Sequence, residues 1–371
     1  MKLKLVNLGV LAASMLVMTS CGSNDNDLDD NDGSDGIQLP ETYSFSVNGN
    51  STVSFSGQTT RLNMANAIYA VLDASSDPGV SKEELENMFL DGAGFTDATL
   101  NGTGKKLGNK VGGYQTAEVN ATVVDYFTGI LEDYAENVAP ALGNVAADGI
   151  PGMSGTNRQL NAKGIELDQA FAKGLIGALC LDQVANGYLS YEKISGADNT
   201  DRDESGYYTD MEHYWDEGYG YVYGLDEGDD ILLQKYLAKD NNESGYEGNN
   251  AAVMEAFIKG RAAIVASDAT IRDEQAAIVS QKLSEVVINK ASYYLNSAAG
   301  KADYSADYFH ALSEGYGFIF SLQFTYDANG NPYFSHAEVE AMLDKLEAGN
   351  GFWDRTDTEL EEMADDIAAK L

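Results

Sequence analysis

Two cysteines, three histidines and five prolines are all that 371 residues contain, and 23 basic residues stand against 59 acidic ones. Each scarcity excludes something. Of the cysteines, Cys21 falls at the end of an N-terminal leader and Cys180 is left alone, so neither an intramolecular disulfide nor a cysteine metal site is available. Cys180 lies in the apolar run Leu175-Ile176-Gly177-Ala178-Leu179-Cys180-Leu181 and reads as a small core residue. The net charge of -36 has the wrong sign for neutralising phosphates, which excludes nucleic-acid binding. Such a surface favours solubility and attracts cations. No G-x-S-x-G, H-E-x-x-H or P-loop occurs, and no Gly-rich nucleotide fingerprint follows a strand.

The leader is what is there first. Lys2 and Lys4 precede an apolar stretch from Leu5 to Val17, then small or short residues up to Cys21: the charged, apolar and cleavage regions of a secretory signal. The apolar run is shorter than the roughly 20 residues a spanning helix needs. Leu16-Val17-Met18-Thr19-Ser20 before Cys21 resembles a lipobox, which makes 1–20 a lipoprotein signal peptide and Cys21 the lipidated first residue of the mature chain. Residues 21–39, rich in Ser, Asn, Asp and Gly, have almost nothing to bury and read as an acidic flexible tether. Acidic residues directly after a lipidated cysteine resemble the surface-export signal of some Gram-negative lipoproteins, which points to an outer-membrane lipoprotein displayed at the cell surface.

The remaining chain reads as all-α with a short β beginning. Tyr43, Phe45 and Val47, then Val53 and Phe55, alternate with polar residues around Asn48-Gly49-Asn50, which predicts a hairpin or an extended arm. Apolar periodicity predicts helices over 61–75, 82–91, 116–138, 160–195, 210–224, 230–239, 250–268, 273–299, 304–324, 336–348 and 357–370. Ser81/Glu84, Thr209/Glu212, Ser335/Glu338 and Thr356/Glu359 are spaced as capping boxes. Gly-rich stretches at 101–113 and 143–157 read as loops.

One internal repeat stands out. Asp210-Met211-Glu212-His213 through Glu217-Gly218-Tyr219-Gly220 to Leu225 matches Asp307-Tyr308-Phe309-His310 through Glu314-Gly315-Tyr316-Gly317 to Leu322, 97 residues on, with seven identities in sixteen positions. It reads as a duplicated helical unit and divides the body into two related bundles, 40–225 and 226–371. On a helix, Asp, His and Glu at i, i+3 and i+7 share one face. Asp210, His213, Glu217, Asp307, His310 and Glu314 are therefore candidate ligands for iron, manganese or zinc, of the kind bundles supply from facing helices. The alternative is a structural pair, His bonded to Glu one turn away, with Gly-Tyr-Gly as a close packing patch.

Asp201, Asp203, Ser205, Tyr207 and Glu212 fit calcium-loop positions, as do Asp327, Asn329, Asn331, Tyr333 and Glu338 except that Pro332 replaces the turn glycine. Glu212 and Glu338 are also the capping-box glutamates, a competing use, so calcium is the lesser cation. His336 starts a helix and reads as a surface residue. Tyr207, Tyr208, Tyr214, Tyr219, Tyr221 and Tyr223, with Trp215 and Trp353, are either a sugar-stacking platform or half-buried packing.

His213-Tyr214-Trp215-Asp216-Glu217-Gly218-Tyr219-Gly220-Tyr221, with Ser56-Gly57-Gln58-Thr59-Thr60-Arg61-Leu62 and Lys173-Gly174-Leu175-Ile176-Gly177-Ala178, resembles the signature of family 4856 of unknown function, lipoproteins of imelysin type. The likeness runs over nearly all of 40–370. It implies two helical bundles related by pseudo-symmetry, surface or periplasmic placement and a link to iron acquisition. Some imelysin relatives were classed as metallopeptidases through G-x-H-x-x-E. This chain has H-x-x-x-E, with Met211 and Tyr308 where that glycine would stand. Three functions follow as expectations: a non-enzymatic metal or small-ligand binding lipoprotein, a metallopeptidase-like hydrolase with Glu217 or Glu314 as base, and a glycan-binding accessory of an outer-membrane transporter. Replacing Cys21 by serine is expected to abolish fatty-acid labelling and to move the chain from the detergent phase to the aqueous phase. Labelled lipid on the Cys21→Ser chain would sink the anchor.

Overall fold

Many helix starts among the described residues are set by hydroxyl caps. Ser81, Thr209, Ser335 and Thr356 each accept from the amide three residues on, and the glutamate there returns a bond to the cap's own amide, so all four expected capping boxes form. The computed structural model describes residues 36–371 except Ser75, Asn241, Asn242 and Ser244. The leader 1–20, Cys21 and the tether up to residue 35 lie outside the described residues.

In chain order come a hairpin of β1 Ser46–Val47 and β2 Asn50–Ser51, then α1 Ser56–Leu72, α2 Lys82–Glu86 and α3 Ala117–Asp133. A second hairpin follows, β3 Gly152–Ser154 and β4 Arg158–Leu160, then α4 Leu167–Leu175, α5 Tyr191–Ile194, α6 Asp210–Tyr223, α7 Leu233–Asp240 and α8 Asn249–Val265. The chain ends with α9 Ala269–Ala299, α10 Ala306–Ser321, α11 His336–Glu347 and α12 Asp357–Ala368. The expected first hairpin is present, closed by Asn48 at φ 52° and Gly49 at φ 82°, the left-handed pair that a two-residue turn requires. Three helices continue as π-helical turns: Asn87–Asp91, Tyr134–Val138 and Ile176–Tyr188.

Several element bounds differ from expectation. Residues 160–166 are not helical. Gln159 and Leu160 pair with Met153 and Gly152 across a hairpin that falls partly in the expected loop 143–157, and the helix starts only at Leu167. The first helix starts at Ser56 rather than 61: its first turn holds Gly57 and Thr59, poor helix formers, and the Thr59 hydroxyl donates to the Gly224 carbonyl at 2.8 Å.

α9 is the spine, with α8, α10 and α12 packed along it; α10 lies also on α4, and α6 lies on α1, α8 and the Ile176–Tyr188 segment. One apolar core joins Leu62, Phe127, Phe171, Trp215, Phe257 and Phe318. Ile37–Leu371 forms a single compact unit, so the boundary expected between 225 and 226 lies inside it. Among the described residues no helix is long and apolar enough to cross a membrane.

A charged knot sits in this core. Arg261 of α8 is 0 % exposed; its Nε lies 3.0 Å from Asp216, Nη1 lies 3.3 Å from Glu212, and Nη2 donates to Thr52 at 3.1 Å. Asp216 also accepts from the Tyr43 hydroxyl at 2.6 Å and the Ser54 amide, which fastens the N-terminal hairpin to α6. Removing one partner of such a pair strands a buried charge and costs about 3–5 kcal/mol. Arg261→Ala is therefore expected to lose that much stability in denaturant unfolding. Lys282→Ala, which breaks a pair with Glu285 nearer the surface, should lose under about 1 kcal/mol. Equal losses would show that the knot is not special.

Candidate functional site

The two repeat copies form α6 and α10, each started by a hydroxyl cap, Thr209 and Ser305. Asp210 and Asp307 are exposed in the first turns, where a helix start favours an acid, and neither bonds the histidine that follows. The copies then diverge. His213 stacks flat on Tyr208, ring centroids 4.2 Å apart, with Nδ1 buried and without a hydrogen-bond partner. Glu217 accepts from Gln58 Nε2 at 2.9 Å. In the second copy His310 Nδ1 lies 2.6 Å from Glu166, and Nε2 lies 3.5 Å from Glu314.

The repeated Gly-Tyr-Gly explains how these glutamates acquire partners. A Cβ on Gly220 would stand 2.4 Å from the Phe55 Cβ and 3.0 Å from the Gln58 Cβ; on Gly317 it would stand 2.6 Å from the Lys173 Cβ. Each glycine lets a neighbouring helix close in, and the residue brought up reaches the glutamate three positions earlier: Gln58 to Glu217, and Lys173 to Glu314 at 3.3 Å. Glu314 also accepts from the Tyr236 hydroxyl at 2.8 Å. Burial works against its charge, yet Lys173 and His310 prevail and hold the carboxyl below the usual glutamate range.

Glu314 and His310 line a cleft of about 490 Å³. Tyr69 and Asp73 come from the end of α1, Gln169 and Lys173 from α4, Lys235 and Lys239 from α7, and Asn157 and Arg158 from the second hairpin. The cleft thus draws on residues from both expected bundles. Its wall carries four bases, Arg158, Lys173, Lys235 and Lys239, against two acids, Asp73 and Glu314, in a chain where acids outnumber bases 59 to 23. Among the described residues neither Lys235 nor Lys239 has a carboxylate within ion-pair distance. Burial, and the charge of Lys173, lower the pKa of both. Behind the wall Glu166 is shared by His310 and, at 3.7 Å, Arg158. Asp168 is pushed up to about 7 by burial and by Glu166.

Periodicity and the repeat located His310 and Glu314 but not the cations. Lys173 was legible only as part of a signature, and Lys235 with Lys239 only as two bases four apart on one helix face. Among the described residues no group of three or more His, Cys, Asp or Glu is arranged to hold a metal ion, so the six repeat residues do not converge on one centre.

The first calcium-like loop uses its oxygens internally. Asp203 accepts from the amides of Ser205 and Gly206 and from the Ser205 hydroxyl, while Glu212 is held by both Arg202 and Arg261. In the second loop Asp327 accepts from Asn329 and Asn331, and Glu338 binds its cap and Lys370. Of the six tyrosines weighed as a platform only Tyr207 is exposed; Tyr221 and Trp215 are fully buried, and Tyr219 stacks under Tyr43 at 3.7 Å. His336 is not a free surface residue: it bonds Gln323 and Glu340.

These features define a mostly helical protein with two small hairpins and a basic cleft cut into an acidic body. Residues 40–371 match the family described as Domain of unknown function (DUF4856), and the chain belongs to that family. No curated protein and no solved structure matches it.

Asp168 yields a signed prediction. Its folded pKa of about 7 lies above the 3.8 of an unperturbed aspartate, so between those values the native state holds the extra proton. Its contribution is fully present below about 4 and is lost as pH rises through about 7. Asp168→Asn removes that slope. Its stability should exceed wild type by a few kcal/mol above pH 7, because each tenfold change in proton affinity is worth about 1.4 kcal/mol, and the gap should shrink towards pH 4. A constant gap across that range in denaturant unfolding would refute the assignment.

Proposed function

We propose that this chain is a lipid-anchored, non-enzymatic binding protein of the outer envelope whose cleft at Glu314 takes a small anionic ligand. The observation that carries this is the local reversal of sign: four bases to two acids on the cleft wall, two of the lysines with no carboxylate within ion-pair distance among the described residues, inside a chain of net charge -36. A bare divalent cation is repelled by such a wall, and a ligand with two or more carboxylates completes it. Iron, manganese or zinc would then enter as an anionic chelate, which keeps the link to nutrient uptake and to an outer-membrane transporter as recipient. Binding is favoured over hydrolysis because His310 and Glu314 are each tied to charged neighbours, an arrangement suited to holding charge still. Imelysin-type ancestry, with α6 and α10 as equivalent helices of a duplicated unit, belongs to the same proposal; its support is the seven-identity repeat and the matching use of Gly220 and Gly317.

Calorimetric titration of the full chain with citrate tests the reading. One site per chain is expected, and Lys235→Ala with Lys239→Ala should weaken it roughly tenfold or more, since each charge-assisted bond is worth about 1.5–3 kcal/mol. Absence of citrate binding, together with uptake of manganese(II) that His310→Ala removes, would replace the anion by a bare metal.

A further inference from the structure

The first repeat copy has its own collection of unmatched cations, and it goes beyond the cleft at Glu314. Arg61 of α1 is buried, and Lys105, Lys110 and Lys193 are half-buried; the charges of the other three, and that of Glu217, all act on Lys110. Lys105 Nζ and Arg61 Nη1 stand 3.2 and 3.6 Å from the point where a side chain on Gly57 would begin, so two positive charges share the room that this glycine leaves open. Lys110 Nζ lies 3.5 Å from the Tyr188 hydroxyl, and Lys193 Nζ lies 5.4 Å from the centre of the same ring and 4.0 Å from that of Tyr214. Among the described residues none of the four has a carboxylate within ion-pair distance, and Arg61 is satisfied only by the carbonyls of Gly57 and Lys106. Glu217, the carboxylate in their midst, is engaged by Gln58.

A second, independent observation lies in the same place. Tyr221 is 0 % exposed and its hydroxyl has no hydrogen-bond partner, although it sits beside Arg61, Glu217 and Tyr114. A buried hydroxyl with no partner is costly to keep, and native chains keep such groups where something else completes them. Burial and the three other cations hold the Lys110 ammonium below the usual lysine pKa, with Glu217 opposing. An anion would relieve that crowding of like charge.

We infer that Arg61, Lys105, Lys110, Lys193 and the Tyr221 hydroxyl form a second binding site, at the first repeat copy, for a compact free oxyanion of the phosphate type. Three lysines gathered with Arg61, which also acts on the Tyr221 hydroxyl, match the several acceptor oxygens of such an ion, and Glu217, fixed by Gln58, excludes monovalent anions too weakly charged to overcome it. The site does not depend on the cleft at Glu314.

Titration of the full chain with inorganic phosphate, in wild type and in the Lys235→Ala/Lys239→Ala background, separates the two. Lys110→Ala with Lys193→Ala should remove one phosphate per chain in both backgrounds. Tyr221→Phe deletes only the unpartnered hydroxyl, so without phosphate its thermal midpoint should be no lower than wild type, and it should weaken the same phosphate roughly tenfold. Loss of phosphate in the Lys110→Ala/Lys193→Ala variant alone, with citrate still bound, supports this site and leaves the cleft standing; the converse supports the cleft and overturns this one. The inference also falls if that variant binds phosphate with wild-type stoichiometry. It falls equally if the variant unfolds while folded Tyr221→Phe binds as tightly as wild type.

Discussion

Arg261 is the residue on which the rest of the arrangement depends. A guanidinium with no exposure is tolerable only if its charge is met, and here Asp216 and Glu212 from one helix meet it, while Thr52 from the hairpin accepts from Nη2. Those two acids are four apart on α6, so they fix that helix's rotation about its axis. Once that face is turned to Arg261, Gly220 faces α1 and Glu217 faces Gln58. Burial still lifts Asp216 to about 6 despite Arg261, which shows how much desolvation the knot absorbs. A hydrophobic replacement could be as stable, but it would not dictate which of α6's faces points where.

The helices were legible because periodicity and capping chemistry act locally. Thr209/Glu212 and Ser335/Glu338 announce α6 and α11 whatever the rest of the chain does. The same two glutamates also match calcium-loop positions, and their oxygens are used locally: Glu212 accepts from its cap amide and Arg202, and Glu338 from its cap amide and Lys370. The β3–β4 hairpin was not legible, since three-residue strands have too few positions to show alternation. That omission mattered, because Arg158 on this hairpin forms one wall of the cleft. The cleft's bases were hidden for a different reason. Lys173, Lys235 and Arg158 come from separated stretches, each looking like an ordinary solvated charge, and only tertiary packing sets them together.

The histidines illustrate the same limit. Spacing assigns His213 and His310 matching places in the repeat, and the structure puts one on α6 and the other on α10. What lies opposite differs: Tyr208 covers one ring, while Glu166 faces the other. A repeat in sequence constrains a helix's own face and says little about the surface that meets it.

The opposed signs of body and cleft raise the question of which field a ligand meets. Under physiological salt the Debye length is about 8 Å, so most of the 59 acids are screened from a ligand already inside the cleft, while Lys173, Lys235 and Lys239 act at contact range. Once inside, the local charges win. At a distance the balance reverses, and at low salt the acidic surface opposes the approach of any anion. Salt therefore acts twice with opposite sign, easing approach and loosening the bound state. On the proposed reading, a surface that discourages anions in general leaves the cleft to discriminate by the number of charges a ligand can place on lysines, because only multiple close contacts offset the cost of crossing the acidic exterior.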